Sequence, residues 1–383
     1  MSMNKLGLFS DASALMLVIV AFLMAFVIAL LMTPVSIWVA NKIGAIDIPR
    51  DERKIHKRPI PRFGGLAIFV ASIIPMVLLE GQNPSIRAAA LGGLLMYLLG
   101  AVDDLKQLSA GVKFVGQTAI AVLMYFMGIR IAFITNYFYG GNLHFGVALS
   151  FIITVGWIVG ITNAINLMDG LDGLAAGISA IIACFLAYVA YIHGEILGMM
   201  PVCVALMAVA GGCAGFLPYN FSPAKTFMGD SGALYLGYMI AVLSVISPLK
   251  RATFVAALVP IMALAIPIFD TLFAIVRRAA RSENVMAADK GHIHHRIMKT
   301  GFGQRRAVLI IYGVVGIMGM VAVLISRELY KDALILTVIA ALYLSVITIE
   351  KKPRPEDLTS GWIRKAKPKV GEEEWVADPE DKE

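Results

Sequence analysis

The sequence predicts an all-α integral membrane protein, a polytopic bundle of about eleven transmembrane helices, amino terminus outside and carboxyl terminus cytosolic. Three observations predict it. Hydrophobic residues fill 59% of the 383 positions and only 15% are charged, where a soluble domain carries about 25%. Apolar runs of about 20 residues, long enough to cross roughly 30 Å of hydrocarbon, recur along the whole chain. Lysine and arginine are unevenly shared between the loops that alternate across those runs.

Breaking the chain at its polar clusters gives eleven spans in order, near residues 12–39, 64–80, 85–102, 113–129, 147–165, 174–193, 199–217, 231–247, 253–276, 307–326 and 333–349. The first run, from Ala12 to Val39, is too long for a signal peptide and lacks a small-residue cleavage site, so it reads as a span. With the amino terminus outside, the cytosolic segments hold 26 of the 33 lysines and arginines and the opposite side holds 7. Residues 1–349 form the predicted polytopic transmembrane domain. Residues 350–383, charged and proline-bearing, form a cytosolic tail expected to be disordered.

The net charge of +7 belongs to the cytosolic loops, where it sets topology and attracts anionic lipid headgroups. Basic residues interleaved with stacking aromatics are not seen, which argues against nucleic acid as a partner. Cys184, Cys203 and Cys213 fall inside spans and read as small apolar residues, with no disulfide or metal role. The phosphate loop G-x-x-x-x-G-K-[ST] and the G-x-G-x-x-G turn are both absent from the sequence.

Five polar islands interrupt the apolar pattern: "HKRPIPRFGG" (56–65), "DDLK" (103–106), "NAINLMDGLDG" (163–173), "PAKTFMGDSG" (223–232) and "DKGHIHHR" (289–296). Acids near spans are costly, so their placement is informative. The topology rests on lysine and arginine alone, yet it puts all five islands at cytosolic span ends. One site on the inner membrane face, assembled from several loops, is the reading that follows.

Asp103 and Asp104 could simply end a helix. Acids oppose the dipole at a helix C-terminus and repel each other, however, so a role in chemistry is favoured. Asn163, Asn166, Asp169 and Asp172 are spaced by three, a step of about 300° each, so the two ends of the set diverge by about 180°. One straight helix cannot aim all four at one ligand, and Gly170 and Gly173 offer places to break it. Capping explains Asp172 at the start of the next span but not Asn166 or Asp169. Asp230 reads either as an N-cap or, opposite two other acidic islands, as a ligand for a hard cation such as Mg²⁺. His292, His294, His295 and Arg296 follow Lys290. Without a nearby cysteine they suit a diphosphate better than zinc. Asp270 lies inside a span two turns from Arg277, and an intramembrane pairing role is as well supported as a catalytic one. Carboxylates, a divalent cation and a basic loop are the parts of phosphoryl transfer at a membrane face.

At this point "HKRPIPRFGG", "VDDLKQLSAGVKF", "VGITNAINLMDGLDGLAAG", "PAKTFMGDSGALYLGY" and "DKGHIHHRIM" together resemble the polyprenyl-phosphate N-acetylhexosamine-1-phosphate transferases of the glycosyltransferase family 4 superfamily. They run in order from His56 to Met298. The "HIHHR" loop is similar to the GlcNAc-1-phosphate branch that starts teichoic-acid synthesis. The pentapeptide branch usually carries a histidine run followed by an aromatic and an acid. The resemblance implies UDP-GlcNAc as donor, undecaprenyl phosphate as acceptor, UMP as leaving group and Mg²⁺ as cofactor, with Mn²⁺ as a substitute. It implies Asp230 as principal metal ligand with Asn166 nearby, and Asp103 and Asp104 as catalytic carboxylates. Asn163, Asp169 and Asp172 would line the donor pocket. Lys57 and Phe227 would be uridine-side residues, and His292, His294, His295 and Arg296 would grip the diphosphate. The expected location is the plasma membrane with the active site cytosolic; a homodimer is admitted. The alternatives are the same chemistry on UDP-MurNAc-pentapeptide and, from another class, a lipid-linked sugar transporter. A transporter would place its binding groups at the midplane on repeated halves.

Overall fold

The computed structural model describes residues 4–48, 58–135, 142–192, 198–246, 303–327 and 329–349, and the side chains of all of these but 4–12, 134, 135, 142, 341 and 343–349. Ten helices lie among the described residues, each on a predicted span. They are α1 (Asn4–Ile43), α2 (Gly65–Glu80), α3 (Pro84–Lys106), α4 (Ala110–Phe126) and α5 (Val147–Met168), then α6 (Leu174–Ile192), α7 (Met200–Asn220), α8 (Gly229–Ile246), α9 (Gln304–Ser326) and α10 (Tyr330–Ile349). Seven of them, α1, α3 and α5 to α9, are long and apolar enough to cross a membrane; α2 and α4 are shorter apolar helices. The protein is thus an all-helical, multi-pass membrane protein. The span expected at 253–276, Asp270, Lys57, the 289–296 island and the tail lie outside the described residues.

Two short hairpins were not anticipated. Strand β1 (Ile46–Asp47) pairs antiparallel with β2 (Ile60–Pro61), and β3 (Phe133–Thr135) pairs with β4 (Asn142–His144). At two and three residues per strand they are too short to leave a periodic signal, and they leave the fold class unchanged.

Helix boundaries differ from the expected spans where capping decides them. Helix α3 starts on Pro84 behind Asn83, whose side chain accepts the Ser85 and Ile86 N–H groups, and it continues to Lys106. Gln107 then adopts a left-handed φ of 52° and donates its N–H to the Asp103 carbonyl. Ser109 caps α4 by accepting the Val112 N–H at 3.4 Å, so that helix begins at Ala110 rather than Lys113. The result is a tight α3–α4 turn with Asp103 and Lys113 on either side of it.

Helix α8 is the hub. Every residue from Gly229 to Ser244 is buried, and α2, α3, α5, α6 and α7 all pack on it. Close packing rather than water exclusion holds helices together in lipid, so small residues mark the contacts. Gly211 and Gly215 of α7 face the α1 backbone at Phe22 and Phe26, beside Ala25 and Ala29. At the polar islands the approach is tighter still. A Cβ on Gly100 of α3 would lie 2.5 Å from the Asp230 carbonyl oxygen, and one on Gly65 of α2 would collide with the Gly232 backbone. These two glycines let α2 and α3 close on the first turn of α8, where the candidate site lies.

Candidate active site

The site begins with the α3–α4 turn. Asp103 in the last turn of α3 accepts the Leu108 N–H at 2.7 Å through Oδ1, which closes the turn. Its other oxygen, Oδ2, lies 2.6 Å from Lys113 Nζ. Lys113 reaches on to Asp230 Oδ1 at 3.1 Å. One lysine on α4 therefore ties the end of α3 to the start of α8.

Asp104 has a different job. Although it sits at the C-terminus of α3, its carboxylate faces the N-terminus of α8. There Oδ1 accepts the Asp230 N–H at 2.8 Å and Oδ2 the Ser231 N–H at 3.0 Å. The helix dipole that α3 sets against an acid is offset by that of α8, which favours one. Gly229, with φ of 71°, makes room: a Cβ there would meet the Asp104 carboxylate.

Arg62 joins the two acids. It follows β2, whose segment is stitched to the α7–α8 loop. Phe227 donates its N–H to the Pro61 carbonyl at 2.9 Å, Gly64 donates to the Phe227 carbonyl at 2.9 Å, and Arg62 and Phe227 form a parallel bridge. Held this way, Arg62 places Nε 3.3 Å from Asp104 Oδ1 and Nη2 against Asp230 Oδ2. Burial works against the guanidinium charge, but Asp104, Asp230, Asp169 and Asp47 more than offset it and raise its pKa above the ordinary value.

The 163–173 island breaks as its spacing requires. Helix α5 ends at Met168, Asp169 is its C-cap, and Gly173 turns at φ of 81° into α6. Asp169 faces the cluster. Burial pushes its carboxyl up to about 7; Arg62 opposes this, while Asp230, Asp104 and Asp172 add to it. Asp172 accepts the Ala224 N–H at 3.1 Å, so it braces the loop before α8. Gly173 donates its N–H to Asn220 Oδ1 at 3.1 Å, and its carbonyl accepts the Tyr312 hydroxyl of α9. Asn166 is half-buried and accepts the Asp169 N–H with its backbone carbonyl at 3.3 Å. Asn163 turns to α4, donating to Gln117 Oε1 at 2.6 Å and to the Val159 carbonyl at 2.8 Å. Phe227 contributes its backbone to the β2 stitch.

Asp103, Asp104, Asp169 and Asp230 thus gather around Arg62 and Lys113. Four carboxylates against two cations leave excess negative charge on oxygen-only donors, which suits a hard divalent cation. Among the described residues no three His, Cys, Asp or Glu are grouped as a ready metal site, because Arg62 and Lys113 stand between the acids. Arg62, Lys113, Gln117 and Asn220 were not singled out from sequence. Arg62 lies inside the 56–65 island and Lys113 inside the quoted 102–114 stretch, yet neither was given a role beyond its topology charge; Gln117 was visible as an amide in an apolar helix. Cys203 and Cys213 are buried and Cys184 is exposed; all three are free.

Fold and site together define a class: a polytopic membrane protein whose carboxylates and cations converge where its spans end. Residues 86–248 match the glycosyl transferase family 4 profile. The chain is 39% identical over 332 residues to the probable undecaprenyl-phosphate N-acetylglucosaminyl 1-phosphate transferase of Bacillus subtilis (strain 168), covering 86% of this chain and 91% of that one. It is 35% identical over 304 residues to the decaprenyl-phosphate N-acetylglucosaminephosphotransferase of Mycobacterium tuberculosis (strain H37Rv), 73% of this chain and 75% of the other. It is also 28% identical over 332 residues to the phospho-N-acetylmuramoyl-pentapeptide-transferase of Listeria welshimeri, 80% of this chain and 97% of the other. The chain belongs to glycosyl transferase family 4, the polyprenyl-phosphate N-acetylhexosamine-1-phosphate transferases its motifs resemble, and is a phosphotransferase.

Proposed function

We propose that the chain transfers GlcNAc-1-phosphate from UDP-GlcNAc to undecaprenyl phosphate, at the cytosolic face of the plasma membrane. An oxygen of the lipid phosphate bonds to the phosphorus that carries the sugar. The bond from that phosphorus to the bridging oxygen breaks, and UMP leaves with that oxygen. The observation that carries the reading is the continuous network Asp103–Lys113–Asp230–Arg62–Asp104, with Asp169 beside it, at the ends of four helices. Such a patch of mixed charge, gathered where helices end, suits phosphates that arrive from water and from lipid.

Asp230 would hold Mg²⁺ with Asn166, and the metal would neutralise charge building on the diphosphate. Asp103, half of the Lys113 bridge, would act on the lipid phosphate. Asp104 would act through its hold on Asp230 as much as on substrate. Asp169 and Asp172 would bound the donor pocket with Asn163 and Phe227, and Lys57, His292, His294, His295 and Arg296 would complete it from segments outside the described residues. The product would begin a cell-surface glycan, wall teichoic acid being the reading the "HIHHR" loop supports.

The test incubates purified protein with undecaprenyl phosphate, Mg²⁺ and either UDP-GlcNAc or UDP-MurNAc-pentapeptide and measures UMP. Release with UDP-GlcNAc supports the proposal. Release only with the pentapeptide donor moves the chain to the pentapeptide branch, and no release with either favours the transporter.

Two expected results arise here. Eleven spans with a cytosolic site require that a cysteine introduced at Gly141 reacts with an impermeant reagent from outside while one introduced at Lys290 does not. The reverse pattern would overturn the orientation. For pH, the Asp169 carboxyl, raised to about 7, keeps its proton below that value, and a cation held by neighbouring Asp230 would favour the ionised form. Apparent Mg²⁺ affinity is therefore expected to rise with pH, by up to about tenfold per unit below pH 7, and to level off above it. A flat Mg²⁺ dependence between about pH 6 and 8 would take Asp169 out of the cation's reach.

A further inference from the structure

Asp230 is occupied on both oxygens: Lys113 takes Oδ1 and Arg62 takes Oδ2. A carboxylate so engaged can serve a divalent cation only by shedding one partner, and the two partners are not equally placed to leave. Lys113 is the better enclosed, with its side chain 19% exposed, and it is fixed by the 2.6 Å contact with Asp103. Arg62 is 37% exposed and touches Asp230 through the end of its fork, while Nε rests on Asp104. Asp104 in turn is immobile: its side chain is 0% exposed and both oxygens hold the first turn of α8. Arg62 therefore has a fixed pivot at Nε, a backbone clamped by the Phe227 stitch, and one exchangeable arm.

We propose that Arg62 is a transferable counter-ion: with Nε kept on Asp104, its Nη2 gives up Asp230 to a divalent cation and takes a phosphate oxygen of the donor instead. A guanidinium suits the second half of this exchange, because its planar fork presents several donors and matches phosphate as well as carboxylate. The exchange keeps the site's charge nearly constant, because the cation that is added is balanced by the diphosphate that arrives with it. It also makes Arg62 a positioning residue with two opposed effects, since it competes with the cation and assists the nucleotide.

The inference rests on the divalent-cation chemistry proposed above. The test is Mn²⁺ binding to the purified full chain in detergent without nucleotide, followed by electron paramagnetic resonance. Arg62→Gln removes the competitor and is expected to lower the Mn²⁺ dissociation constant by about tenfold, the effect of withdrawing one nearby positive charge from a partly solvated site. Asp230→Asn in the same background should cancel the gain. In the presence of Mg²⁺, UDP-GlcNAc should bind Arg62→Gln at least about tenfold more weakly, through the lost phosphate contact. Arg62→Lys keeps the charge but has a single donor head that cannot span Asp104 and Asp230; it should show a smaller gain in Mn²⁺ affinity, and it decides the matter if Arg62→Gln does not fold. Unchanged or weaker Mn²⁺ binding in the folded Arg62 variants overturns the exchange. If the parent then still binds Mn²⁺ and releases UMP, the exchange alone falls. A parent that does neither takes the proposed function down with it.

Discussion

Asparagine at Asp104 is expected to destabilise the protein by about 2–4 kcal/mol and to cut turnover at least about a hundredfold. The stability loss follows from geometry. Both carboxylate oxygens accept main-chain N–H groups at the start of α8, at 2.8 and 3.0 Å. An asparagine has one acceptor oxygen, and its amide N–H₂ would confront the other donor. One buried N–H is then left unsatisfied, at a cost of about 1–3 kcal/mol, and the negative charge favoured at a helix N-terminus is lost as well. The Arg62 pair adds less, since that side chain is 37% exposed and partly screened. The turnover loss follows because the displaced first turn of α8 carries Asp230. Thermal unfolding and UMP release, measured on Asp104→Asn and Asp103→Ala together, separate the roles. If both variants turn over within about threefold of the parent, neither acid acts in chemistry, and Asp104 is left as the cap of α8.

Two acids at a helix C-terminus oppose that helix's dipole, and this singled out Asp103 and Asp104. What could not be read was that α8, whose first turn lies 126 residues further on, presents its N-terminus to Asp104. The compensation is tertiary. The same limit hid Arg62 and Lys113: as charges at the ends of apolar runs they were indistinguishable from those that only orient the chain. Their pairing with Asp230 depends on Gly65 and Gly100 admitting α2 and α3 to α8. The helices themselves were legible, because apolar length is a property of composition. All ten described helices lie on predicted spans, with ends moved by caps such as Ser109 and Asn83. The break after Met168 was legible too, since the three-residue spacing of Asn163, Asn166, Asp169 and Asp172 could not serve one face. Asn163 itself was read as part of the pocket, and the structure pairs it with Gln117 on α4. A lone glutamine among apolar residues was the signal for that contact, and it called for a polar partner on a neighbouring helix.

Asp230→Asn is expected to give the largest loss of activity of any single substitution here, roughly a thousandfold or more, and to change how activity responds to Mg²⁺. An amide oxygen is a weaker ligand for a hard cation than a carboxylate, and the site loses one of the negative charges that make it attractive to a cation. The residual rate should climb with added Mg²⁺ well beyond the concentration that saturates the parent. The fold should be weakened but retained. Asp230 is 8% exposed and serves two cations, yet Arg62 keeps Asp104 and Lys113 keeps Asp103, so neither positive charge is left unpaired. A modest fall in the unfolding midpoint is the expected accompaniment, smaller than that of Asp104→Asn, because the two N–H groups at the start of α8 still have their acceptors. UMP release measured against Mg²⁺ concentration, alongside thermal unfolding, checks both halves. Activity equal to the parent's at limiting Mg²⁺ would remove Asp230 from the metal site and leave it as the shared counter-ion of Arg62 and Lys113. A collapse of the fold with no change in the Mg²⁺ response of the surviving molecules would say that those two bridges, rather than a cation, are what the carboxylate is there to hold.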